Sequence, residues 1–527
     1  MWISTYDRAF SRLASEDEIK NSLHEANINN GSPKYGGIPL FSVSDSVYID
    51  PTDTHSLIIG ATGSKKTRLI AMPTLRLYAE AGESFVATDP KAELYERTQA
   101  LLKERGYRIF LLNLRDPLKS NGWNPLLVPY RMYHNGQQDR ALELIIDMAN
   151  CIMNDSHTHD PYWQNSGADL LAGLILVLFE CGEEEQMHFK SLRAIRTEAF
   201  RMVKNSDVPF IREHFIDYLN ASVFVCSLLS GTADVTESTR SCILSVFDQA
   251  MRPFFSQSDL IDMLSGSDFE MGSIGKEKTA VFLIIPDENT LYHRLVSVFV
   301  KQCYTELILD AQKQKSKKLP RRVNFLLDEF SALPQISDFP AMITASRSRN
   351  IRFNLIVQSF NQLNEKYGNH AETIKGNCEN WVYLYSRELG ILNEIIELCG
   401  KKGNEEQLIT VTMLQTLDKD KGEAVILHKR LHPFVASLPD IERYHSISNE
   451  ERDICYPQNT RKAQSVFNFQ KFCCDNNQFF ISKLFLGKTL DEIRNISSEE
   501  ERSYYMIDDN ENIEPIFTTT LNKQDNG

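Results

Sequence analysis

The chain has 527 residues, more than one ordinary hydrophobic core can organise, so two or three domains are expected. Its composition, 42% hydrophobic and 24% charged, is that of a globular protein and argues against intrinsic disorder. A formal net charge of -14 argues against a surface that coats nucleic acid indiscriminately, so any contact with DNA must be local.

The chain first alternates short apolar strands with helices. The strands are "HSLIIG", "SFVATDP" and "YRIFLLNL", and the helices between them are "TRLIAMPTLRLYAEAG" and "KAELYERTQALLKERG". This alternation predicts an α/β fold with a parallel sheet wrapped by helices on both faces. Asp89 and Lys91 follow the second strand, at the sheet edge where such folds bind ligands, and we assign them to the architecture of the site.

Helical periodicity replaces the alternation between about residues 131 and 270. The helical segments are "DRALELIIDMANCIM", "SGADLLAGLILVLFE", "PFIREHFIDYLN" and "TRSCILSVFDQAM". The segment 170–182 is the most apolar, but it is shorter than the ~20 residues that cross a bilayer and suits a buried helix. We therefore predict an all-alpha domain, 131–270, inserted into the α/β domain.

Strands resume in the last part of the chain, as "TAVFLIIP", "VNFLLDEF", "IRFNLIVQS" and "NWVYLYS". Residues 1–130 and 271–447 are thus expected to form one nucleotide-binding domain, and 448–527 a C-terminal appendage with a disordered tail. The basic segment "KQKSKKLPRR", 313–322, is interpreted as a solvated loop rather than a DNA site. Ten cysteines without a repeated short spacing indicate a reducing compartment.

The stretch "GATGSKKT", 60–67, matches the phosphate-loop pattern G-x-x-x-x-G-K-[ST] except that Lys65 replaces the second glycine. Such loops surround phosphates with backbone N–H groups and a helix N-terminus. Two outcomes are open: the Lys65 stem swings aside and brings its ammonium toward the triphosphate, or the loop is distorted and binds nucleotide weakly. The residues expected to contact nucleotide are Gly60, Ala61, Thr62, Gly63, Ser64, Lys65, Lys66, Thr67 and Arg68.

A second motif supports the first. "VNFLLDEF" is an apolar strand that ends in Asp328 and Glu329, where an aspartate can organise a Mg²⁺ shell and a glutamate can polarise the attacking water. An acidic pair that merely terminates a strand is the alternative. Because a phosphate loop precedes it in the same α/β unit, we favour the catalytic interpretation.

Several blocks together resemble the type IV secretion coupling proteins, which are ring-forming ATPases that hand a relaxase with its DNA strand to a conjugation channel. These blocks are "IIGATGSKKT", "MPTL", "TDPKAELYERT", "NGWNPL", "YWQNSGADLLAG", "FLLDEFSALP" and "IVQSFNQL", in family order between about residues 56 and 400. The resemblance implies a RecA-like fold, ATP with Mg²⁺ as ligands and a ring that is hexameric when active.

The resemblance also implies roles for individual residues. Lys66, Glu329, Gln358 and Arg347 would be catalytic, and Thr67 and Asp328 would hold the metal. Gln358 resembles the glutamine that senses the γ-phosphate, and Arg347 the arginine that reaches the nucleotide of a neighbouring subunit, with Arg349 as a competitor. A guanidinium suits that role because phosphoryl transfer spreads negative charge over several oxygens.

The implied partners are single-stranded DNA, a relaxase and components of the type IV secretion channel. The implied place is the cytoplasmic face of the bacterial inner membrane. The family's N-terminal membrane helices are missing here, so membrane contact would come through partners or through helices outside this chain. Two alternatives stay open: a catalytically impaired adaptor on the same fold, which Lys65 motivates, and a general DNA-pumping translocase.

Overall fold

The structure is a computed structural model. It describes residues 11–28, 33–153, 161–202, 208–217, 219, 221–286, 290–403, 406–444, 454–458, 464–476, 505–507 and 513–515. The described part divides into two compact units, one comprising 1–128 and 258–461 and the other 129–257 and 462–527. The insertion predicted from the sequence, 131–270, extends beyond this boundary, because the helix α10 (Ser258–Met263) falls in the first unit.

A small antiparallel sheet of order β1-β3-β2 opens the first unit. Its strands are β1 (His24–Asn27), β2 (Pro39–Val43) and β3 (Ser46–Ile49). The sequence analysis did not predict it, because its strands are only four or five residues long and carry no extended apolar run. Strand β3 is largely buried all the same, as Val47 and Ile49 are fully inaccessible to solvent.

A nine-stranded sheet forms the centre of the first unit, in the order β12-β11-β10-β4-β9-β8-β5-β7-β6. Neighbours from β10 to β6 pair in parallel, whereas β10, β11 and β12 pair antiparallel. The strands are β4 (His55–Gly60), β5 (Ser84–Thr88), β6 (Arg108–Asn113), β7 (Thr279–Ile284), β8 (Val323–Leu327), β9 (Ile351–Val357), β10 (Cys378–Tyr385), β11 (Glu423–His428) and β12 (Phe434–Ser437). The antiparallel edge was not predicted.

Helices flank this sheet and build the second unit. They are α1 (Glu16–Ser22), α2 (Met72–Ala81), α3 (Glu93–Glu104), α4 (Leu127–His134), α5 (Gln138–Met153), α6 (Tyr162–Cys181), α7 (Phe189–Ala199), α8 (Val223–Ala233), α9 (Glu237–Ser256), α10 (Ser258–Met263), α11 (Thr290–Lys313), α12 (Phe339–Ser346), α13 (Phe360–Tyr367), α14 (His370–Asn377), α15 (Leu389–Cys399) and α16 (Val411–Gln415).

The helix after β4 does not begin as a regular α-helix. Residues Thr67–Ala71 form a π-helical turn, in which the Met72 N–H donates to the Thr67 carbonyl. Pro73 explains the irregularity, since it has no N–H to donate to the carbonyl four residues earlier and its ring crowds that carbonyl. The element that carries the phosphate loop is therefore locally widened at its start.

The second unit is mainly helical, and its core is the fully buried length of α6 from Leu170 to Phe179. Part of the chain's C-terminal region packs within this unit. The Phe467 N–H donates to Ser191 Oγ over 3.1 Å, and the Phe469 ring lies 5.5 Å from that of Phe215. Most of the predicted disordered tail lies outside the described residues, apart from the short pair β13 (Tyr505–Ile507) and β14 (Ile513–Pro515).

Candidate active site

The carboxyl ends of β4, β9, β8 and β5 meet at one edge of the central sheet, because these strands are parallel neighbours. The phosphate loop leaves the buried strand β4 after Gly60 and turns into the helix at Lys66. Its start is tied to β10 by the Ala61 N–H, which donates to the Tyr385 carbonyl over 2.9 Å. The Ser64 N–H closes the loop onto the Ala61 carbonyl over 3.1 Å. This strand–loop–helix arrangement presents backbone N–H groups to an anion.

Lys65 keeps the backbone conformation that a glycine would have at this position. Its φ is +61°, in the left-handed region, which costs an L-residue roughly 1–2 kcal/mol. Its side chain leaves the loop, and Nζ lies 2.7 Å from Asp420 Oδ1. The Lys65 stem therefore swings aside, and its ammonium pairs with Asp420 instead of turning toward the phosphate loop.

Arg68 also points out of the loop. Its Nε lies 2.9 Å from Asp440 Oδ2, and its Nη2 donates to both Asp440 and Glu442. These hydrogen bonds raise the pKa of Arg68, which stays charged. The contact of Arg68 with nucleotide therefore stays a prediction, and in this structure its side chain is bound to Asp440 and Glu442.

Lys66 points the other way, into the sheet edge. Its Nζ lies 3.5 Å from Asp328 Oδ1 and 3.6 Å from Glu329 Oε1. The ammonium is buried, and among the described residues no atom accepts a hydrogen bond from it. Burial raises the pKa of Asp328, and the charges of Lys66 and Glu329 act on it in opposite directions. The structure thus brings the two sequence motifs together around a buried, incompletely satisfied cation.

Gln358 joins the two motifs. It follows β9, which lies between β4 and β8 in the sheet, so its side chain falls between the phosphate loop and the acidic pair. Gln358 Nε2 donates to Glu329 Oε1 over 2.7 Å, and Thr62 Oγ1 donates to Gln358 Oε1 over 3.2 Å. A group bound beside Thr62 is therefore linked to Glu329 through one amide side chain.

The chemistry of the site fits a phosphate with Mg²⁺. Ser64 Oγ is buried and, like Lys66 Nζ, has no hydrogen-bond partner among the described residues, so both can turn to phosphate oxygens. Thr67 begins the helix and Asp328 ends its strand, so that a hydroxyl and a carboxylate oxygen are available. Oxygen ligands of this kind, in small number, are what Mg²⁺ takes when phosphate supplies the rest.

Two clefts flank the phosphate loop. One, of about 370 Å³, lies on the side of the β11 edge, and the residues lining it are Thr62, Gly63, Ser64, Leu69, Leu384, Tyr385, Leu417, Lys419 and Glu423. The other, of about 540 Å³, lies on the side of Gln358, and the residues lining it are Ala61, Thr62, Gln358, Ser359, Gln362, Tyr385 and Arg387. Sequence reasoning missed the contributions from β10 and from the turn before β11, because no local pattern marks them.

The comparisons with known proteins agree with this geometry. Residues 12–424 match the family described as type IV secretory system conjugative DNA transfer. The chain belongs to this family. It is 21% identical over 392 residues to the type IV secretion system-coupling protein VirD4 of Bartonella henselae, which is 73% of this chain and 58% of that protein. It is 24% identical over 358 residues to the conjugal transfer protein TraG of Rhizobium radiobacter, 64% of this chain and 50% of TraG.

A conjugative coupling protein of known structure shares the fold. The plasmid coupling protein TrwB, solved with the non-hydrolysable ATP analogue ADPNP, aligns with a TM-score of 0.59 at 15% identity over 82% of this chain and 93% of TrwB. TrwB solved with ADP and Mg²⁺ aligns with a TM-score of 0.57 at 16% identity. These alignments confirm the predicted α/β, RecA-like fold. The chain spans 58% of the length of that VirD4 protein and 50% of the length of that TraG protein.

In this family member, Arg347 does not lie near Lys66. It precedes β9, whereas Gln358 follows that strand, so about 20 Å of extended chain separates the two edges. At the far edge Arg347 pairs with Glu379, and Arg349 lies in the same turn. Neither arginine can serve the active site of its own chain in this arrangement.

Asp89, from the family block "TDPKAEL", is buried beside the acidic pair. Its Oδ2 accepts a hydrogen bond from the Tyr95 N–H over 2.9 Å. Burial raises the pKa of Asp89 to about 7, and the neighbouring carboxylates of Asp328 and Glu93 act in the same direction. Lys91 is exposed. Asp89 thus belongs to the wall of the site, whereas Lys91 faces solvent.

Carboxylates and carbonyls of the same chain bind much of the positive charge of the basic segment 313–322. Arg322 pairs with Asp53 and Glu83, and Lys313 with Asp310. Arg321 donates to the Gly82 carbonyl.

Among the described residues, no helix combines the length and the apolar character that crossing a bilayer requires.

Proposed function

We propose that this chain is an ATP-driven coupling protein that brings single-stranded DNA, or a relaxase–DNA complex, to a type IV secretion channel. One observation carries the enzymatic part: Lys66 Nζ lies within 3.6 Å of both Asp328 and Glu329, at the edge where the phosphate loop begins. Gln358 connects Glu329 with the loop. Membership of the conjugative DNA transfer family supports the transfer part.

The side chains divide the work of ATP hydrolysis. Lys66 leaves the acidic pair to neutralise the β- and γ-phosphates. Glu329 orients a water molecule and accepts its proton as the water oxygen bonds to the γ-phosphorus and the bond to the β-γ bridging oxygen breaks. Thr67 and Asp328 would hold Mg²⁺, which supplies charge neutralisation on the phosphate oxygens. Gln358 makes the orientation of Glu329 depend on whether a γ-phosphate is present.

Arg347 would act on a neighbouring subunit. Arg347 lies too far from the site of its own chain to reach a nucleotide there. It would therefore reach the nucleotide bound by a second copy of the chain. A ring of identical subunits, six by family resemblance, places the far edge of one sheet against the nucleotide edge of the next. A guanidinium there stabilises the charge that spreads over the equatorial oxygens.

The partners follow from the relatives. One is named a type IV secretion system-coupling protein and another a conjugal transfer protein. We extend that role to this chain, at the cytoplasmic face of the inner membrane and with the channel components as partners. The α/β unit would be the motor, and the helical unit, predicted at 131–270, would meet the transferred DNA or relaxase.

A non-hydrolysing adaptor is the alternative that Lys65 motivated. The structure weakens that motive, because Lys65 adopts the glycine-like φ of +61° and its ammonium lies against Asp420, outside the loop. A chromosome-pumping translocase outside conjugation shares the same chemistry. The family match covering residues 12–424 favours conjugation over it.

Steady-state ATP hydrolysis, with and without single-stranded DNA, tests the proposal on the parent chain, Lys66→Ala and Lys65→Gly. If the chain is a motor, the parent hydrolyses ATP, single-stranded DNA stimulates this hydrolysis, and Lys66→Ala abolishes it. Activity found only in Lys65→Gly would indicate an inactivated motor frame. No turnover in any of the three, with nucleotide still bound by the parent, would leave the adaptor.

A further inference from the structure

The turn between α16 and β11 is a rigid unit beside the phosphate loop. The Asp418 carboxylate accepts hydrogen bonds from the N–H groups of Asp420 and Lys421 over 2.9 and 3.3 Å. The Asp418 N–H donates to Glu423 Oε2 over 2.9 Å, and the Glu423 N–H donates back to the Asp418 carbonyl over 3.0 Å. The backbone of Asp420 is thus fixed without any contribution from Lys65.

The same turn packs on the helix that follows the phosphate loop. Gly422 has a φ of +68°, and a Cβ added there would lie 2.1 Å from the Leu438 carbonyl oxygen and 3.2 Å from Leu69 Cδ2. Only glycine fits such a place. Lys419 and Glu423 from this turn line the cleft of about 370 Å³ together with Ser64 of the loop. The turn is therefore one wall of the nucleotide cleft.

Asp420 stands on this wall and binds the one side chain of the loop that departs from the phosphate-loop pattern. The Asp420 side chain is 76% exposed, whereas that of Lys65 is only 29% exposed. The Asp420 carboxylate is thus held by a fixed backbone. The left-handed backbone conformation of Lys65 likewise fixes the direction in which its side chain leaves the loop. An ion pair between two such restrained ends loses less side-chain entropy than an ordinary surface pair.

We propose that Asp420 is a positioning residue that holds the Lys65 ammonium outside the phosphate cradle, so that the lysine at this position adds no second ammonium to the bound triphosphate. The inference rests on the proposed nucleotide site and deepens it. Lys66 then remains the only one of the three cations Lys65, Lys66 and Arg68 that faces the acidic pair, since Arg68 is held by Asp440.

The proposal has an electrostatic consequence. Without the Asp420 charge, the Lys65 stem is free to bring a second ammonium to the triphosphate. One added cation at a partly solvated distance strengthens the binding of MgATP by about threefold to tenfold at low salt, and salt screens the gain. A purely structural role of the ion pair would instead loosen the turn and weaken binding at every salt concentration.

The test measures the dissociation constant of MgATP at low and high salt on the full chain. The variants are Asp420→Asn, Lys65→Gly and the double variant, with Glu397→Gln as the control that removes one exposed carboxylate elsewhere. We expect Asp420→Asn to bind MgATP about threefold to tenfold more tightly at low salt and nearly as the parent does at high salt. The substitution Asp420→Asn should have no effect once Lys65 is glycine, and Glu397→Gln should match the parent.

The inference is overturned by an Asp420→Asn dissociation constant equal to that of the parent, or by a shift of the same size in the Lys65→Gly background. Weaker binding in Asp420→Asn at both salt concentrations would also overturn it. Failure of the parent, Lys65→Gly and the control to bind MgATP at all would instead refute the proposed nucleotide site itself. The binding of those three chains therefore separates the two failures.

Discussion

Gln358 Nε2 donates a hydrogen bond to Glu329 Oε1 over 2.7 Å, across the ends of two adjacent parallel strands. Glu329 sits in a left-handed conformation with a φ of +56°, which turns its side chain out of the strand direction. An unsupported carboxylate on such a turn would sample several rotamers. The amide of Gln358 restricts it to the side that faces Lys66 and the phosphate loop.

Replacing Gln358 by alanine should therefore slow hydrolysis more than it weakens binding. Glu329 loses its orientation, so kcat should fall by about tenfold to a hundredfold, with KM for ATP little changed. Steady-state kinetics with ATP varied gives both constants. Gln312→Ala, an exposed glutamine on α11, is the matched control. An unchanged kcat in Gln358→Ala would refute the positioning role.

Much of this edge could be read from sequence because each motif is contiguous. Six buried residues in β4 lead directly into the phosphate loop, and the acidic pair directly follows the five buried residues of β8. The apolar runs predict strands, parallel strands bring their carboxyl ends together, and so Lys66 and Asp328 were expected to meet. The role of Gln358, at the end of the next strand, is implied by the family resemblance.

The missed features depend on long-range partners. Lys65 and Arg68 are held by Asp420 and Asp440, which lie 355 and 372 residues further along the chain. Those acids arrive because β11 and β12 add antiparallel strands beyond β10, an edge that no local pattern predicts. Arg68 was consequently expected in the cradle, although its side chain is turned out of it.

A second buried network, at the opposite edge of the sheet, should dominate stability. Arg352 donates to Asn324 Oδ1 over 2.7 Å, to the Gly36 carbonyl over 2.9 Å and to Glu83 Oε2 over 3.2 Å. The side chains of Arg352 and Glu83 are only 3% and 10% exposed. Removal of the guanidinium leaves a buried carboxylate short of a partner, which typically costs about 3 kcal/mol or more.

Arg352→Met should thus lower the thermal midpoint of the chain by several degrees, as measured by circular dichroism. Arg108→Met is the matched control. Arg108 also pairs with a glutamate, Glu277, over 2.7 Å, but both of these side chains are more than half exposed. Exposed pairs contribute about 0–1 kcal/mol, so the control should shift the midpoint little. Equal shifts in the two variants would contradict the assignment.

Asp89 gives the unliganded protein a defined pH dependence. Burial raises the pKa of Asp89 to about 7, and the carboxylates of Asp328 and Glu93 act in the same direction. Folding therefore favours the protonated carboxyl. A raised pKa contributes stability that is complete below the unfolded value of about 3.9 and is lost as the pH rises through the folded value. The loss therefore falls between about pH 4 and pH 7.

Asp89→Asn cannot titrate, and its amide oxygen can still accept from the Tyr95 N–H. The stability of the variant relative to the parent should therefore increase as the pH rises from about 5 to about 8, by about 2–3 kcal/mol. Thermal midpoints of both chains across this range, without nucleotide, measure the difference. A difference that stays constant with pH would mean that Asp89 titrates at its ordinary pKa.

Arg347 provides the sharpest test of assembly. Because it lies at the far edge of the sheet and pairs with Glu379 there, its substitution by alanine should lower kcat by about a thousandfold without lowering the affinity of a single chain for MgATP. Arg349→Ala, in the same turn, is the matched control and should retain most of the activity.

Mixing then distinguishes action in the same subunit from action in a neighbour. Lys66→Ala has an inactive cradle but an intact Arg347, whereas Arg347→Ala has an intact cradle. If the arginine serves the next subunit, a mixture of these two inactive variants regains ATP hydrolysis, because some interfaces pair an intact cradle with an intact arginine. If it serves its own chain, every site in the mixture stays defective and no activity returns. Hydrolysis measured against the mixing ratio, with single-stranded DNA present to promote assembly, decides between the two.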